Sequence, residues 1–107
     1  MKLEIMEHKL NTTNVVITLN GVVNIHTATQ LRQRLKPFLD DQHKEVRVDL
    51  GGVNFIDSAG IATLVEGLQW SRNDGRRFVL SGLSENVRDI FELAKLDTVF
   101  EIDNGDS

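Results

Sequence analysis

Apolar and polar residues alternate with a period of two over residues 46–50, which is typical of a strand with one buried face. Two shorter apolar segments, at residues 3–6 and 15–19, lie on either side of turn-forming polar side chains at residues 11–14. This arrangement predicts a hairpin of two strands, with a third strand later in the chain. The apolar run at residues 78–80 is short enough for one more buried strand.

Apolar residues recur at helical spacing in three segments, each of which predicts a helix with one buried face. The first begins after Thr27 and the third after Ser84, and hydroxyl residues are favoured at a helix N-cap. The second runs from Ser58 to about Asn73. The residues of the three apolar stripes are Ala28, Leu31, Leu35, Phe38 and Leu39; Ile61, Leu64, Val65 and Leu68; and Val87, Ile90, Phe91 and Ala94.

Two details of the first helix can be predicted. Thr27 stands three residues before Gln30, which is the spacing of a capping box. Pro37 falls inside the helical pattern, and an internal proline costs about 3 kcal/mol. The pattern therefore predicts a kink, or a helix that ends near Lys36.

Strands that alternate with helices predict a single α/β domain over residues 1–107, with a mixed sheet of four to five strands and helices packed mainly on one face. A chain of this length buries roughly 60 to 70% of its unfolded surface on folding. The last apolar residues, Val99, Phe100 and Ile102, predict either an edge strand or a docked tail. Residues 104–107 are expected to fray.

Composition excludes several classes of function. The chain has no cysteine, and its 12 Lys and Arg against 16 Asp and Glu give a net charge of −4, the wrong sign for binding a phosphate backbone. No apolar run is long enough to cross a bilayer, and no obvious export signal begins the chain. Its three histidines lack metal-ligand spacing, so we expect no metal site. The absence of cysteine suits a reducing compartment, so we expect a cytoplasmic protein.

The segment of residues 55–60, Phe-Ile-Asp-Ser-Ala-Gly, contains the candidate functional residue. It follows the strand and an apparent turn at Gly51 and Gly52, and it places the hydroxyl of Ser58 at or beside the start of the second helix. Backbone N–H groups in a first helical turn lack partners, and the helix dipole adds about half a positive charge. The sequence therefore predicts an anion-accepting position at Ser58.

Each residue of this segment also has a purely structural interpretation. Ser58 can be an ordinary N-cap, worth about 1 kcal/mol. Asp57 can simply stabilise the positive end of the helix. Ala59 and Gly60 can serve either close packing or the access of another backbone, because glycine in a helix costs about 1 kcal/mol relative to alanine.

Three segments in this order resemble the STAS domain of bacterial anti-sigma factor antagonists. They are residues 55–60, residues 19–28 with the following Leu31, Arg32 and Leu35, and residues 75–83. The resemblance implies that the unmodified chain binds an anti-sigma factor with serine kinase activity and so releases a sigma factor. It further implies that the partner phosphorylates Ser58 to end the interaction, and that a phosphatase resets the switch. ATP belongs to the partner, so no cofactor is assigned to this chain.

The same resemblance implies a partner-binding surface at Asp57, Ser58, Ala59, Gly60 and Asn24. Asn24 departs from the family pattern, because many relatives carry an aspartate at the matching position. The asparagine has a similar size but no charge, which changes the expected contact with the kinase. An amide that closes a turn is the structural alternative for Asn24.

Functions of other classes fit the sequence less well. A serine hydrolase needs a glycine two residues before its nucleophile, where this chain has Ile56. Catalysis is therefore not indicated. The stronger alternative is a STAS protein-interaction subunit of a lipid-transport ABC complex, or of a larger signalling assembly, that uses the same helix face without being phosphorylated.

Overall fold

Five strands form one mixed sheet in the order β1-β2-β3-β4-β5, in a computed structural model that describes residues 3–39 and 44–103. The first pair of strands is antiparallel and the other three pairs are parallel. This confirms the predicted α/β fold and the hairpin. The strands are β1 (Leu3–Lys9), β2 (Asn14–Val23), β3 (Glu45–Ile56), β4 (Arg77–Ser81) and β5 (Glu101–Asp103). The helices are α1 (Ala28–Leu39), α2 (Ser58–Asn73) and α3 (Glu85–Leu93), with a 3₁₀ turn at Leu96–Thr98.

The core lies between the helices and one face of the sheet. Buried and more exposed residues alternate along β3, so that Val46, Val48 and Leu50 point inwards. All three helices add side chains to the same hydrophobic cluster, as their apolar stripes predict. These helical core residues are Leu31 and Leu35 from α1, Leu64 and Leu68 from α2, and Val87 and Phe91 from α3. Ala94 is an exception, because it lies beyond the end of α3 and is exposed.

Strand β3 is longer than the alternating pattern predicts. The expected turn at Gly51 and Gly52 is wrong, because both residues lie inside the strand. The pairing of β3 with β2 shifts its register near this point, between Thr18 and Asn20. A Cβ added at Gly52 would lie 1.7 Å from Oδ1 of Asn20, so the glycine permits a close approach between the strands.

Of the two alternatives predicted at Pro37, an end of the helix near Lys36 is wrong, because α1 continues through Pro37 to Leu39. The proline stands in the last turn, where few further helical hydrogen bonds remain to be lost. The guanidinium of Arg76 donates to the carbonyl of Phe38 at 2.9 Å and so supports this end of the helix.

The predicted capping box at the start of α1 is also wrong. Gln30 donates its side-chain amide to the carbonyl of Leu3 in β1 rather than to the start of its own helix. The hydroxyl of Thr27 accepts from the backbone N–H of Asn24 and donates to the carbonyl of Val22. Thr27 therefore closes the loop between β2 and α1.

The C-terminal apolar residues do form an edge strand, since β5 pairs in parallel with β4. Ser84 is the N-cap of α3 as expected, and its hydroxyl accepts from the N–H of Val87. The predicted fraying of residues 104–107 lies outside the described residues.

Ion pairs hold the short strand β5 to its neighbours. Arg77 in β4 bridges Glu101 in β5 and Glu45 in β3, and Arg47 contacts Asp103 at 2.6 Å. The hydrogen bond from Arg77 lowers the pKa of the Glu101 carboxyl, and the same contact raises the pKa of Arg77.

We expect this ion pair to make the stability of the domain decrease as the pH falls into the acid range. A carboxyl whose pKa is depressed on folding stabilises the fold above its unfolded pKa, near the ordinary value of 4.5, and loses that contribution as pH falls through the folded pKa. Thermal melts should therefore show Glu101→Gln melting below the wild type at pH 7, with the difference shrinking as pH falls below 4.5 and through the lower pKa of the folded state. Glu4→Gln, at an exposed carboxylate of β1, is the control. A difference that stays constant with pH would contradict this role.

Candidate functional site

The candidate site is built where β3 ends and α2 begins. Asp57 is the N-cap of α2, with an extended backbone at φ −104° and ψ −174°. Its Oδ1 accepts from the backbone N–H groups of Ala59 at 2.9 Å and Gly60 at 3.1 Å. Ser58 is therefore the first residue inside the helix. The prediction that it lies beside an N-cap is confirmed, and the interpretation of Ser58 itself as the cap is wrong.

This cap changes the expected electrostatics of the site. The sequence predicts unpartnered donors for an anion on Ser58, but Asp57 already accepts from two N–H groups of the first turn. The N–H of Ile61 makes the first regular bond of the helix, to the carbonyl of Asp57 at 2.9 Å. An anion on Ser58 would therefore stand next to a carboxylate that already accepts from two first-turn donors, rather than in an empty nest of donors.

The Ser58 side chain is exposed. Within residues 3–39 and 44–103, its hydroxyl makes no hydrogen bond, whereas the buried hydroxyls of Thr63 and Ser71 each donate to a helix carbonyl. A hydroxyl that is exposed and not engaged in the fold can be approached by a phosphoryl donor. The position is chemically suited to modification without unfolding of the domain.

Asp57 also joins the site to the loop between β2 and α1. Its Oδ2 accepts from the N–H of Ile25 at 3.1 Å, and its own N–H donates to the carbonyl of Val23 at 3.0 Å. The Ile25 side chain is 69% exposed, and Phe55, two residues before the cap, is 49% exposed. Neither residue was predicted to bind a partner, although Phe55 begins the segment of residues 55–60 identified from the sequence. The available signal was that each is a large apolar residue outside the predicted stripes.

Asn24 closes a turn, which is the structural interpretation that the sequence also allows. Its Oδ1 accepts from the N–H of His26 at 2.9 Å and of Thr27 at 3.2 Å. Only 7% of the residue is exposed. Little of Asn24 is therefore available to a partner, and a direct contact there stays a prediction.

Gly60 faces the interior of the domain. A Cβ at this position would lie 2.6 Å from Cγ1 of Val23 and 2.8 Å from Cγ1 of Ile56. Of the two interpretations of this glycine, the structure favours close packing over access for a partner. Ala59 is half-buried, so Ser58 is the exposed member of the segment from Asp57 to Gly60.

We predict that Asp57→Ala destabilises the domain by about 1 kcal/mol, because two N–H groups of α2 lose their acceptor. Asp57→Asn should cost less, since asparagine is an equally good N-cap and loses only the bond from the N–H of Ile25 to the second carboxylate oxygen. Urea unfolding of the two variants measures the difference. An Asp57→Ala domain as stable as the wild type would show that the cap has no energetic role.

Among the described residues, no group of three or more His, Asp or Glu side chains is arranged to hold a metal ion, and His43 lies outside them. No helix in the part of the chain that the structure describes is long and apolar enough to span a bilayer.

Comparison with known proteins places this site in a family context. The family model described as "Mlab, STAS domain" matches residues 7–102. The anti-sigma-B factor antagonist of Listeria monocytogenes is 27% identical over 104 residues, which are 97% of this chain and 91% of the relative.

Solved structures are similar in fold. An anti-sigma factor antagonist from Mycobacterium paratuberculosis superimposes with a TM-score of 0.84 at 20% identity, over 94% of this chain and 85% of the other. The Bacillus cell fate determinant SpoIIAA in its phosphorylated form gives 0.73 at 18% identity, over 94% and 92%. At these identities the structural likeness establishes the fold.

Proposed function

This chain belongs to the STAS domain family, and we propose that it is an anti-sigma factor antagonist that phosphorylation of Ser58 switches off. Support comes from a relative with that name that aligns over nearly the whole chain. It also comes from a fold neighbour solved in a phosphorylated form. The observation that carries the proposal is the exposed Ser58 hydroxyl, which takes no part in holding the fold together.

The partner in this proposal is an anti-sigma factor with serine kinase activity. The unmodified chain binds it and thereby releases a sigma factor. Phosphorylation ends this interaction. The oxygen of Ser58 attacks the terminal phosphorus of the partner's ATP, ADP leaves, and the hydroxyl proton passes to a base of the partner. A phosphatase then hydrolyses the phosphoserine. This chain supplies the acceptor and the binding surface rather than catalytic groups, and it would act in the cytoplasm.

Phosphorylation would act through charge. A phosphate adds about −1.5 to −2 charges one residue from the Asp57 carboxylate, whose capping contacts keep it at the start of α2. A partner surface that tolerates the one negative charge of Asp57 would then face two or three negative charges. Like-charge contacts across an interface cost several kcal/mol, and each 1.4 kcal/mol is tenfold in affinity. The domain itself need not refold.

The docking surface that we propose centres on Ser58 and includes two apolar side chains. Ile25 and Phe55 are both well exposed beside the cap, and buried apolar anchors carry much of the binding energy of protein interfaces. The exposed side of α2, with Ala62 and Gln69, extends the surface along the helix.

The second candidate is the STAS interaction subunit of a lipid-transport ABC complex or larger signalling assembly. One observation favours it: Asp57 already accepts from two N–H groups at the start of α2, so capping of this helix does not need a phosphate on Ser58. Such a subunit would use the same surface and would not be phosphorylated.

Reconstitution of sigma release tests the proposal. The serine-kinase anti-sigma factor and the sigma factor encoded nearest to this chain are first combined, and the chain is then added. We expect the sigma factor to be released, and ATP to restore its complex with the anti-sigma factor as Ser58 is phosphorylated. With Ser58→Ala the release should persist in ATP. Failure to release sigma, together with binding to a transporter ATPase subunit, would favour the second candidate.

A further inference from the structure

Strand β1 forms one edge of the sheet, because among the strands of the described residues it has β2 alone as a neighbour. It is seven residues long, which is long for an unprotected edge. The side of an edge strand that faces away from the sheet carries backbone N–H and C=O groups with no strand partner. Such a row is a template for adding a strand from another chain, and native proteins protect it.

Two side chains of α1 reach this row of backbone groups. The amide of Gln30 donates to the carbonyl of Leu3 at 2.9 Å, and Nη2 of Arg34 lies 3.4 Å from the carbonyl of Ile5. Arg34 is held in place because its Nε also donates to Oε1 of Glu7 at 2.9 Å. Alternate residues of a strand turn their backbone groups to opposite sides, so these contacts identify the odd-numbered residues as those that face outwards.

The sequence of β1 is complementary to itself when the β1 of a second copy lies antiparallel beside it, with the two Met6 residues opposite each other. In that register Ile5 lies opposite Glu7, and both belong to the outward-facing set that can exchange backbone hydrogen bonds. On the outer face of the sheet Met6, which is 64% exposed, would meet its own copy, and Glu4 would meet His8. Cross-strand apolar and acid–base neighbours of this kind stabilise a strand pair.

We propose that Gln30 and Arg34 are edge guards that keep this chain from pairing β1 with the β1 of a second copy. The two side chains occupy the acceptors that the incoming strand needs, and Arg34 neutralises Glu7 at the same edge. The surface they protect fits a second copy of the chain, joined across a twofold axis at Met6. This inference does not depend on the proposed sigma-regulatory function.

The test is the mass of the folded chain in solution, measured by light scattering after size-exclusion chromatography. Wild type should elute at the mass of one chain. The double variant Gln30→Ala/Arg34→Ala should shift to the mass of two chains at the same concentration, with unchanged circular dichroism. The matched control is Arg32→Ala/Gln33→Ala, which removes the same two residue types from exposed positions of the same helix. The control should stay at the mass of one chain.

A third variant tests where the copies meet. The double variant Gln30→Ala/Arg34→Ala is called the guard variant below. Adding Met6→Lys to it places two ammonium groups opposite each other at the twofold axis, and this should return the mass to that of one chain. A guard variant that remains a single chain overturns the proposal, as does a wild type that is already a dimer. If the guard variant does not fold, the single variant Gln30→Ala, which frees the Leu3 carbonyl alone, should give a smaller shift in the same direction. A dimer that persists with Met6→Lys shows that another surface is responsible.

Discussion

We expect Ser58→Asp to weaken binding to the proposed anti-sigma partner by at least about 100-fold, which corresponds to roughly 3 kcal/mol or more. The reason is that a second carboxylate then stands directly after Asp57, whose capping contacts with Ala59 and Gly60 hold it at the start of α2. The variant itself should fold normally, because Ser58 is exposed. Isothermal titration against the purified partner measures the loss.

Two controls separate the position of the charge from the charge itself. Ser58→Ala should bind within a few-fold of wild type, since the hydroxyl contributes no hydrogen bond in the described part of the fold. Asn86→Asp adds the same charge at an exposed position of α3 and should also leave affinity nearly unchanged. Equal affinities for Ser58→Asp and wild type would contradict the charge mechanism.

The second large effect is on stability. Gly60→Ala should destabilise the domain by about 2 kcal/mol, although alanine is the better helix former by about 1 kcal/mol. The added Cβ would lie 2.9 Å from the backbone carbonyl oxygen of Val23, as well as closer still to two core side chains. Side chains can shift, but this backbone belongs to β2 and is fixed by strand pairing.

Urea unfolding of Gly60→Ala and Ala62→Gly distinguishes packing from helix propensity. By propensity alone the first change should stabilise and the second should cost about 1 kcal/mol, because Ala62 is exposed in the same helix. We expect Gly60→Ala to be the more harmful of the two. A Gly60→Ala domain that is more stable than wild type would show that α2 has room to move away from β2.

Most of the fold follows from local periodicity, and the errors arise where distant residues decide. The stripes of α2 and α3 and the alternation in β3 are local patterns, so the helices and strands could be predicted from them. Gly51 and Gly52 look like a turn in the sequence. They lie in a strand because β2, some 30 residues earlier, approaches closely at Asn20, and no local pattern records that contact.

The same limit applies to the site. Ser58 was identified by its position between a strand and an apolar stripe, which is local information. The bond from Ile25 to Asp57 spans 32 positions in the chain, so the loop that it holds beside Ser58 could not be placed from the sequence. The burial of Asn24 and Gly60 likewise depends on how the loop and helix pack.

Intact mass after incubation with the kinase partner and ATP measures whether Ser58 accepts a phosphoryl group. We expect wild type to gain the mass of one phosphoryl group, while Ser58→Ala under the same conditions gains none. Wild type that stays unmodified by an active kinase, or a Ser58→Ala chain that is modified to the same extent, would contradict this expectation.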